Sequence, residues 1–253
     1  MSSTEYTHAI VIGAGPAGLG ASLGLAAKGH SVRVLDQQEE LGKVRRGETI
    51  RADAAMEAIL GRGFFDRITR KKINRRRYYS HTGNCFVDRS ITNPNIIFEW
   101  PLLIGEMAGK AERSGVRIHT GHRVIGLLEH SGTVNGAVTV NDGVEHVFVA
   151  DTVISCGGCN DPCSQHLSQT RSGVDMAVVK RLAKGYEGPD DRLEYFFHID
   201  DSGLVIAAMF PRGGTEAEFI LMSTSAGECR LPVFDEFSRI HERYGKLLEG
   251  TQT

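Results

Sequence analysis

The chain has 253 residues, enough for one large or two small domains with a hydrophobic core. Hydrophobic residues make up 41% and charged residues 24%, and a formal net charge of -2 provides no global field to draw in nucleic acid or anionic lipid. Five cysteines, an odd number, and no basic or apolar leader before His8 argue against a secreted disulfide framework and for the cytoplasm.

His8-Ala9-Ile10-Val11-Ile12 is a short apolar run ending at Gly13, the pattern of a buried parallel strand. Residues 17–28 are rich in Ala, Leu and small side chains and stop at Gly29, which predicts a helix with a glycine C-terminal cap. Residues 31–35 read as a second strand ending in Asp36, so the chain opens with a β-α-β unit. A helix is expected over 53–60. Arg70 to Arg77 is a dense basic run, and residues 78–89 alternate like a hairpin around Thr82-Gly83-Asn84. A further helix is expected over 102–113, entered at Pro101 and ended near Gly115, with a third strand at 116–119. The β-rich runs 123–129, 133–140 and 145–149, separated by Ser131-Gly132 and Asn141-Asp142-Gly143, predict an antiparallel meander. Thr152 to Ser155 is one more apolar, β-branched strand. Residues 193–199, 204–210 and 218–222 read as strands of a second sheet. Residues 231–249 read as a helix, with Phe234, Phe237, Ile240, Tyr244, Leu247 and Leu248 near helical spacing.

The turn Gly13-Ala14-Gly15-Pro16-Ala17-Gly18 is the first chemical signal. Gly13 permits a tight turn after the strand, Gly15 keeps no side chain between the backbone and a pyrophosphate, and Gly18 lets the helix pack close to the sheet. The free N–H groups and positive dipole end of the helix would face phosphates. Asp36 ends the second strand and can accept hydrogen bonds from both hydroxyls of an adenosine ribose, which disfavours a 2′-phosphate there. These residues point to an adenine dinucleotide and leave FAD and NAD open.

The segment from Val11 to Asp36 resembles the N-terminus of two-dinucleotide-binding-domain flavoproteins, whose form is GAGPAG followed by a helix and a strand ending in Glu or Asp. Gly42-Lys43-Val44-Arg45-Arg46-Gly47-Glu48-Thr49-Ile50 resembles the G-x-V-R-C-G-E-G-I segment of the geranylgeranyl reductase family, which lies against the flavin; Arg46 replaces the family's Cys and Thr49 its second Gly. Residues 153–162, Val-Ile-Ser-Cys-Gly-Gly-Cys-Asn-Asp-Pro, resemble the V-I-G-A-D-G-x-N-S-P element that returns the chain to the cofactor in that family and in flavin monooxygenases. Gly157 stands where that element carries its acid.

The resemblance implies an α/β fold. A Rossmann-like FAD-binding domain, a parallel sheet with a β-meander, is expected over residues 1–165, with a basic hairpin insertion near 70–97. The start of a β-rich α+β substrate domain is expected over 166–253. It implies FAD as cofactor, with Gly13, Gly15, Pro16, Ala17, Gly18, Asp36, Arg45, Glu48 and Gly158 as its binding residues, and NADH or NADPH as electron donor. Arg45 would stabilise negative charge on the reduced flavin or its phosphates, and Glu48 would orient that loop or a substrate. The activity implied is reduction of a carbon–carbon double bond in an apolar, isoprenoid-like substrate. A flavin-dependent monooxygenase or halogenase is the alternative, and a non-catalytic nucleotide-binding fragment a third. The family's later G-D-A-A segment has no counterpart here and the family continues well beyond this length, so the chain is expected to be truncated.

Other constellations are weaker. Cys156, Cys159 and Cys163, with His166 nearby, have a spacing that could converge on a metal or form a redox pair, but ordinary thiols are favoured and no metal site is expected. Arg70, Lys71, Lys72, Arg75, Arg76 and Arg77 form either a solvated face or an anion site for a phosphorylated substrate, a nicotinamide nucleotide or a membrane surface. Neither a catalytic residue nor an oligomeric state is legible.

Overall fold

The computed structural model describes residues 6–43, 49–80, 82–158, 163, 176–200 and 203–224. The chain divides into two units. The first is Met1–Arg46, Asp53–Ile68 and Glu99–Arg171, and the second is Gly47–Ala52, Thr69–Phe98 and Ser172–Thr253. Among the described residues no helix is long and apolar enough to cross a membrane.

The first unit is built on a six-stranded sheet. Its strands are β1 (Tyr6–Ile12), β2 (Val32–Leu35), β6 (Arg117–His119), β7 (Arg123–His130), β8 (Thr133–Asn141) and β9 (Val144–Ser155), in the order β6-β2-β1-β9-β8-β7. β6, β2, β1 and the end of β9 run parallel, while β9, β8 and β7 form the meander. Ile10, Val11 and Val34 are fully buried, as strands covered on both faces require. Each such side chain contributes on the order of 1.5–3 kcal/mol of burial. Residues 145–149 and 152–155, expected as two strands, are one. β9 pairs with β8 through its first half and with β1 from Val149 to Ser155, so a single strand joins the antiparallel and parallel halves. Both meander reversals are two-residue turns with positive φ at each position, Ser131 (51°) with Gly132 (78°) and Asp142 (48°) with Gly143 (76°). That handedness matches strand twist.

Among the described residues, four helices belong to this unit: α1 (Pro16–Ala26), α2 (Ala54–Leu60), α3 (Phe64–Ile68) and α4 (Trp100–Arg113). Asp53 caps α2, accepting from the N–H groups of Ala55 (2.9 Å) and Met56 (3.1 Å). α4 buries Leu103, Ile104, Met107, Ala108 and Ala111 along one face and packs against α1. α3 carries no clear periodic signal in its five residues and escaped the sequence reading.

The second unit is a seven-stranded sheet in the order β10-β13-β12-β11-β4-β5-β3. Its strands are β3 (Thr49–Arg51), β4 (Thr69–Tyr79), β5 (Cys85–Phe98), β10 (Ala177–Lys184), β11 (Leu193–Asp200), β12 (Gly203–Gly213) and β13 (Glu216–Ser223). The last three agree with the expected second sheet. The hairpin β4–β5, expected as an insertion in the first domain, is instead part of this sheet: β4 pairs in parallel with β11, Arg76 to Tyr79 against Leu193 to Phe196. That pairing spans more than a hundred residues of sequence, and no local pattern encodes it. Apolar clusters form on both faces. One includes Tyr79, Phe196, Met209, Phe219 and Leu221, and the other Ile73, Ile97, Leu193, Phe210 and Ile220. The helix expected over 231–249 lies outside the described residues, as does the expected domain boundary at 165.

Candidate functional site

In the first unit the end of β1, the start of α1, the end of β2 and the end of β9 converge on a cavity of about 300 Å³. That volume is at the small end for ligand pockets. Gly13 has φ +99°, and a Cβ there would stand 2.5 Å from the carbonyl oxygen of Cys156. Its N–H donates to the carbonyl of Leu35 (2.8 Å), while the Cys156 N–H donates to that of Ile12 (2.8 Å). These bonds draw the turn, β2 and the end of β9 together. A Cβ on Gly18 would collide with the Gly13 carbonyl, so the third glycine of the motif sets the contact between helix and turn.

Gly15 plays a different part. It is the N-cap of α1 in extended conformation, and a Cβ there would meet no protein atom within 4 Å. The protein's own packing therefore does not demand glycine, whereas a ligand lying on the backbone would. α1 has no side-chain cap at its N-terminus and no acid in its first turn. Its leading N–H groups, from Ala17 and Gly18 behind Pro16, are suited to phosphate oxygens. Gly13 to Ala17 all line the cavity.

Asp36 also lines it and is 7% exposed. Its carboxylate accepts from the N–H of Ala14 (2.6 Å) and of Gln38 (2.8 Å), one bond on each oxygen. A carboxylate offers about four lone-pair sites, so two remain for hydroxyl donors. The acid is thus fixed in place by the turn it serves. The Oε1 atom of Gln38 is buried in the cavity wall with no partner among the described residues, an acceptor suited to a ligand hydroxyl or amine.

Several wall residues were not foreseen. Trp100 and Ile104 come from the start of α4, and His122, Arg123 and Val124 from the start of β7. Only their neighbours carried a sequence signal, Pro101 as a helix start and the β-pattern from Arg123. The Nδ1 atom of His122 lies 2.9 Å from the hydroxyl of Thr139. Burial, and then the neighbouring His146, hold its pKa below the ordinary value, so the ring is neutral at neutral pH.

Gly158 and Cys156 lie in the wall with Gly157. Arg45 and Glu48 lie outside the described residues, as do Cys159 and His166. Cys163 is buried among Ile10, Ile12, Val124 and Ala137, as an apolar core thiol would be. The basic run is strand β4 and is largely neutralised from within its own unit. Arg70 pairs with Glu216, Lys71 with Asp190 (2.7 Å), and Arg75 and Arg77 both with Asp88 (2.7 Å each). Four of the six cations considered from sequence as an anion site therefore already have carboxylate partners.

A family model described as FAD binding domain matches residues 6–232. The chain belongs to that family. Solved structures share the fold of this FAD-binding chain. A geranylgeranyl bacteriochlorophyll reductase-like protein from Thermoplasma acidophilum aligns with a TM-score of 0.82 at 16% identity, over 98% of this chain and 64% of that one. PqsL of Pseudomonas aeruginosa, described as a probable FAD-dependent monooxygenase, aligns with a TM-score of 0.68 at 15% identity, over 86% and 60%. CtdE in complex with FAD aligns with a TM-score of 0.70 at 16% identity, over 98% and 70%. At these identities the likeness is one of fold. The chain spans less than two thirds of the length of the first two. No curated protein matches the sequence.

The residues present fit the family's cofactor. A glycine cradle open at Gly15, an uncapped helix N-terminus, a positioned acid and an unpartnered buried acceptor occur in one cavity.

Proposed function

We propose that the chain acts in an FAD-dependent oxidoreductase that reduces a carbon–carbon double bond of an apolar, isoprenoid-like substrate, with NADH or NADPH as electron donor. The observation that carries the flavin assignment is the cavity in which Gly15 and the bare N-terminus of α1 face the same space as Asp36. In this assignment the α1 N–H groups bind the pyrophosphate, Asp36 accepts from the ribose hydroxyls, and Trp100 and Ile104 exclude water from the nucleotide. When bound, FAD supplies two-electron transfer, and the protein binds and orients it. Arg45 and Glu48 are assigned to the flavin through the Arg-x-Gly-Glu resemblance.

The choice of a reductase is supported by that resemblance and by the fold shared with a geranylgeranyl reductase-like protein. A flavin-dependent monooxygenase is the second reading, supported by the fold shared with PqsL. The test is an FAD titration of the full chain followed through Trp100, the single tryptophan, which lines the cavity. Anaerobic reduction of the loaded protein with NADH and with NADPH follows. Saturable quenching and bleaching of the flavin band are expected. Reductant consumption that requires oxygen would favour the monooxygenase, and a chain that takes up no FAD would reduce it to a non-catalytic fragment.

A further inference from the structure

The cations of β4 are not equivalent. Arg70, Lys71, Arg75 and Arg77 each have a carboxylate partner. Arg76 has none among the described residues. Its guanidinium donates through Nε (3.2 Å) and Nη2 (2.6 Å) to Oδ1 of Asn95, a neutral acceptor. Asn95 is 5% exposed and is itself held, donating through Nδ2 to the hydroxyl of Thr49 (2.6 Å). Arg76 is therefore positioned without being neutralised, and Nη1 remains available to a further acceptor. Directly opposite Arg76 across the β4–β5 ladder is Arg89, exposed and with no ion pair among the described residues. Like charges in cross-strand register are unfavourable unless an anion joins them.

The same face carries an aromatic platform. Tyr78, two residues along β4 from Arg76, stacks on Tyr195 (5.1 Å between ring centres, 13° between planes) and on Phe197 (6.1 Å, 28°). Phe86 meets both Tyr78 (6.4 Å) and Phe197 (6.1 Å), and Tyr195 meets Phe210 edge-on (5.7 Å). In register, Leu193 lies beside Arg76 and Tyr195 beside Tyr78, so cation and rings are contiguous. Phe86 is 59% exposed, a large apolar surface in water.

We propose that Arg76 and Arg89 bind the oxyanion of a small-molecule substrate whose flat, aromatic or unsaturated apolar body lies on Tyr78, Phe86, Tyr195 and Phe197. This rests on the oxidoreductase reading and names its substrate class: a carboxylate or phosphate at one end of an apolar body. Two guanidinium groups supply charge-assisted hydrogen bonds to the oxyanion, and stacked rings accept any flat apolar surface.

The test is calorimetric titration of the full chain with 2-naphthoate, 2-naphthyl phosphate and neutral 2-naphthalenemethanol, alongside FAD. In the natural chain both anions bind more tightly than the alcohol, the tighter anion naming the head group. Arg76→Gln and Arg89→Gln each weaken the anions about tenfold, the effect of one lost charge-assisted bond, and leave the alcohol within about twofold. Arg76→Lys retains most of the anion affinity. Arg89 is exposed, so its variant reads the site even where Arg76→Gln disturbs the strand. Anions that bind no better than the alcohol, or that bind both Gln variants as well as the natural chain, overturn the proposal. FAD affinity measured on the same samples tests the flavoprotein reading separately, since the nucleotide cavity lies wholly in the first unit.

Discussion

Two regions of this protein are suited to anions, and they are built in opposite ways. The N-terminus of α1 carries no charged residue in its first turn, yet it lines a cavity with its backbone N–H groups open. Strand β4 carries the densest run of positive charge in the chain, yet four of its cations are satisfied by Glu216, Asp190 and Asp88. Formal charge along a sequence therefore says little about where an anion binds. What counts is whether the donors already have partners. Backbone donors at a helix start have none within the helix, whereas side chains on a solvated hairpin find carboxylates.

The largest test of this contrast is Gly18→Val. A Cβ there runs into the Gly13 carbonyl, backbone that cannot move aside. The expected outcome is a loss of about 1–3 kcal/mol or more in a denaturant titration, with FAD affinity falling alongside. Gly15→Ala sharpens the point by separating ligand from fold. With open space at its Cβ, stability should stay within about 0.5 kcal/mol while FAD binds about tenfold more weakly; equal losses in both would show Gly15 to be structural.

Asp36→Asn comes next. It places an amide where two backbone N–H groups need acceptors, leaving one of them unsatisfied at a cost of about 1–3 kcal/mol. It should also weaken AMP more than 2′-phospho-AMP, as compared by fluorescence titration through Trp100.

A smaller effect belongs to His122. Its folded pKa lies below the ordinary 6.5, because burial and His146 disfavour the charged ring. Its contribution to stability is therefore complete above pH 6.5 and is lost as the pH falls through the lower folded value. Melting midpoints of His122→Gln should fall less steeply on acidification than those of the natural chain.

The smallest effect is expected at Asp88, whose carboxyl is held down to about 2 by hydrogen bonds first from Arg75 and then from Arg77. This solvent-exposed group stays charged across the ordinary range, and its contribution is lost only as the pH drops from 3.8 toward about 2. Asp88→Asn should barely move the melting midpoint, and added salt should shrink the shift further.

Local patterns were a sound guide wherever structure is local. The strand–turn–helix at Ile12 to Gly18, the amphipathic α4 and the two hairpin turns at Ser131-Gly132 and Asp142-Gly143 all follow from short-range sterics and periodicity. The hairpin near 70–97, expected as an insertion in the first domain, takes its place in the second sheet because Tyr78 meets Tyr195 through a pairing that neither segment announces. The cavity was half legible. Its glycine side was evident from spacing, but Trp100, Gln38 and His122 reach it only after α4, the chain beyond β2 and β7 have been placed by the sheet.

By itself, then, the sequence determined the β-α-β entry, the acid at Asp36 and the presence of a second β-rich region, because glycine sterics, strand patterning and turn chemistry act over a few residues. Only the tertiary structure decided that Asp36 is locked by Ala14 and Gln38, that most of the basic strand is neutralised, and that Arg76 and Arg89 stand opposite each other with no carboxylate partner among the described residues. Partners far apart in sequence meet through sheet register, and register is set by the packing of whole strands rather than by any residue alone.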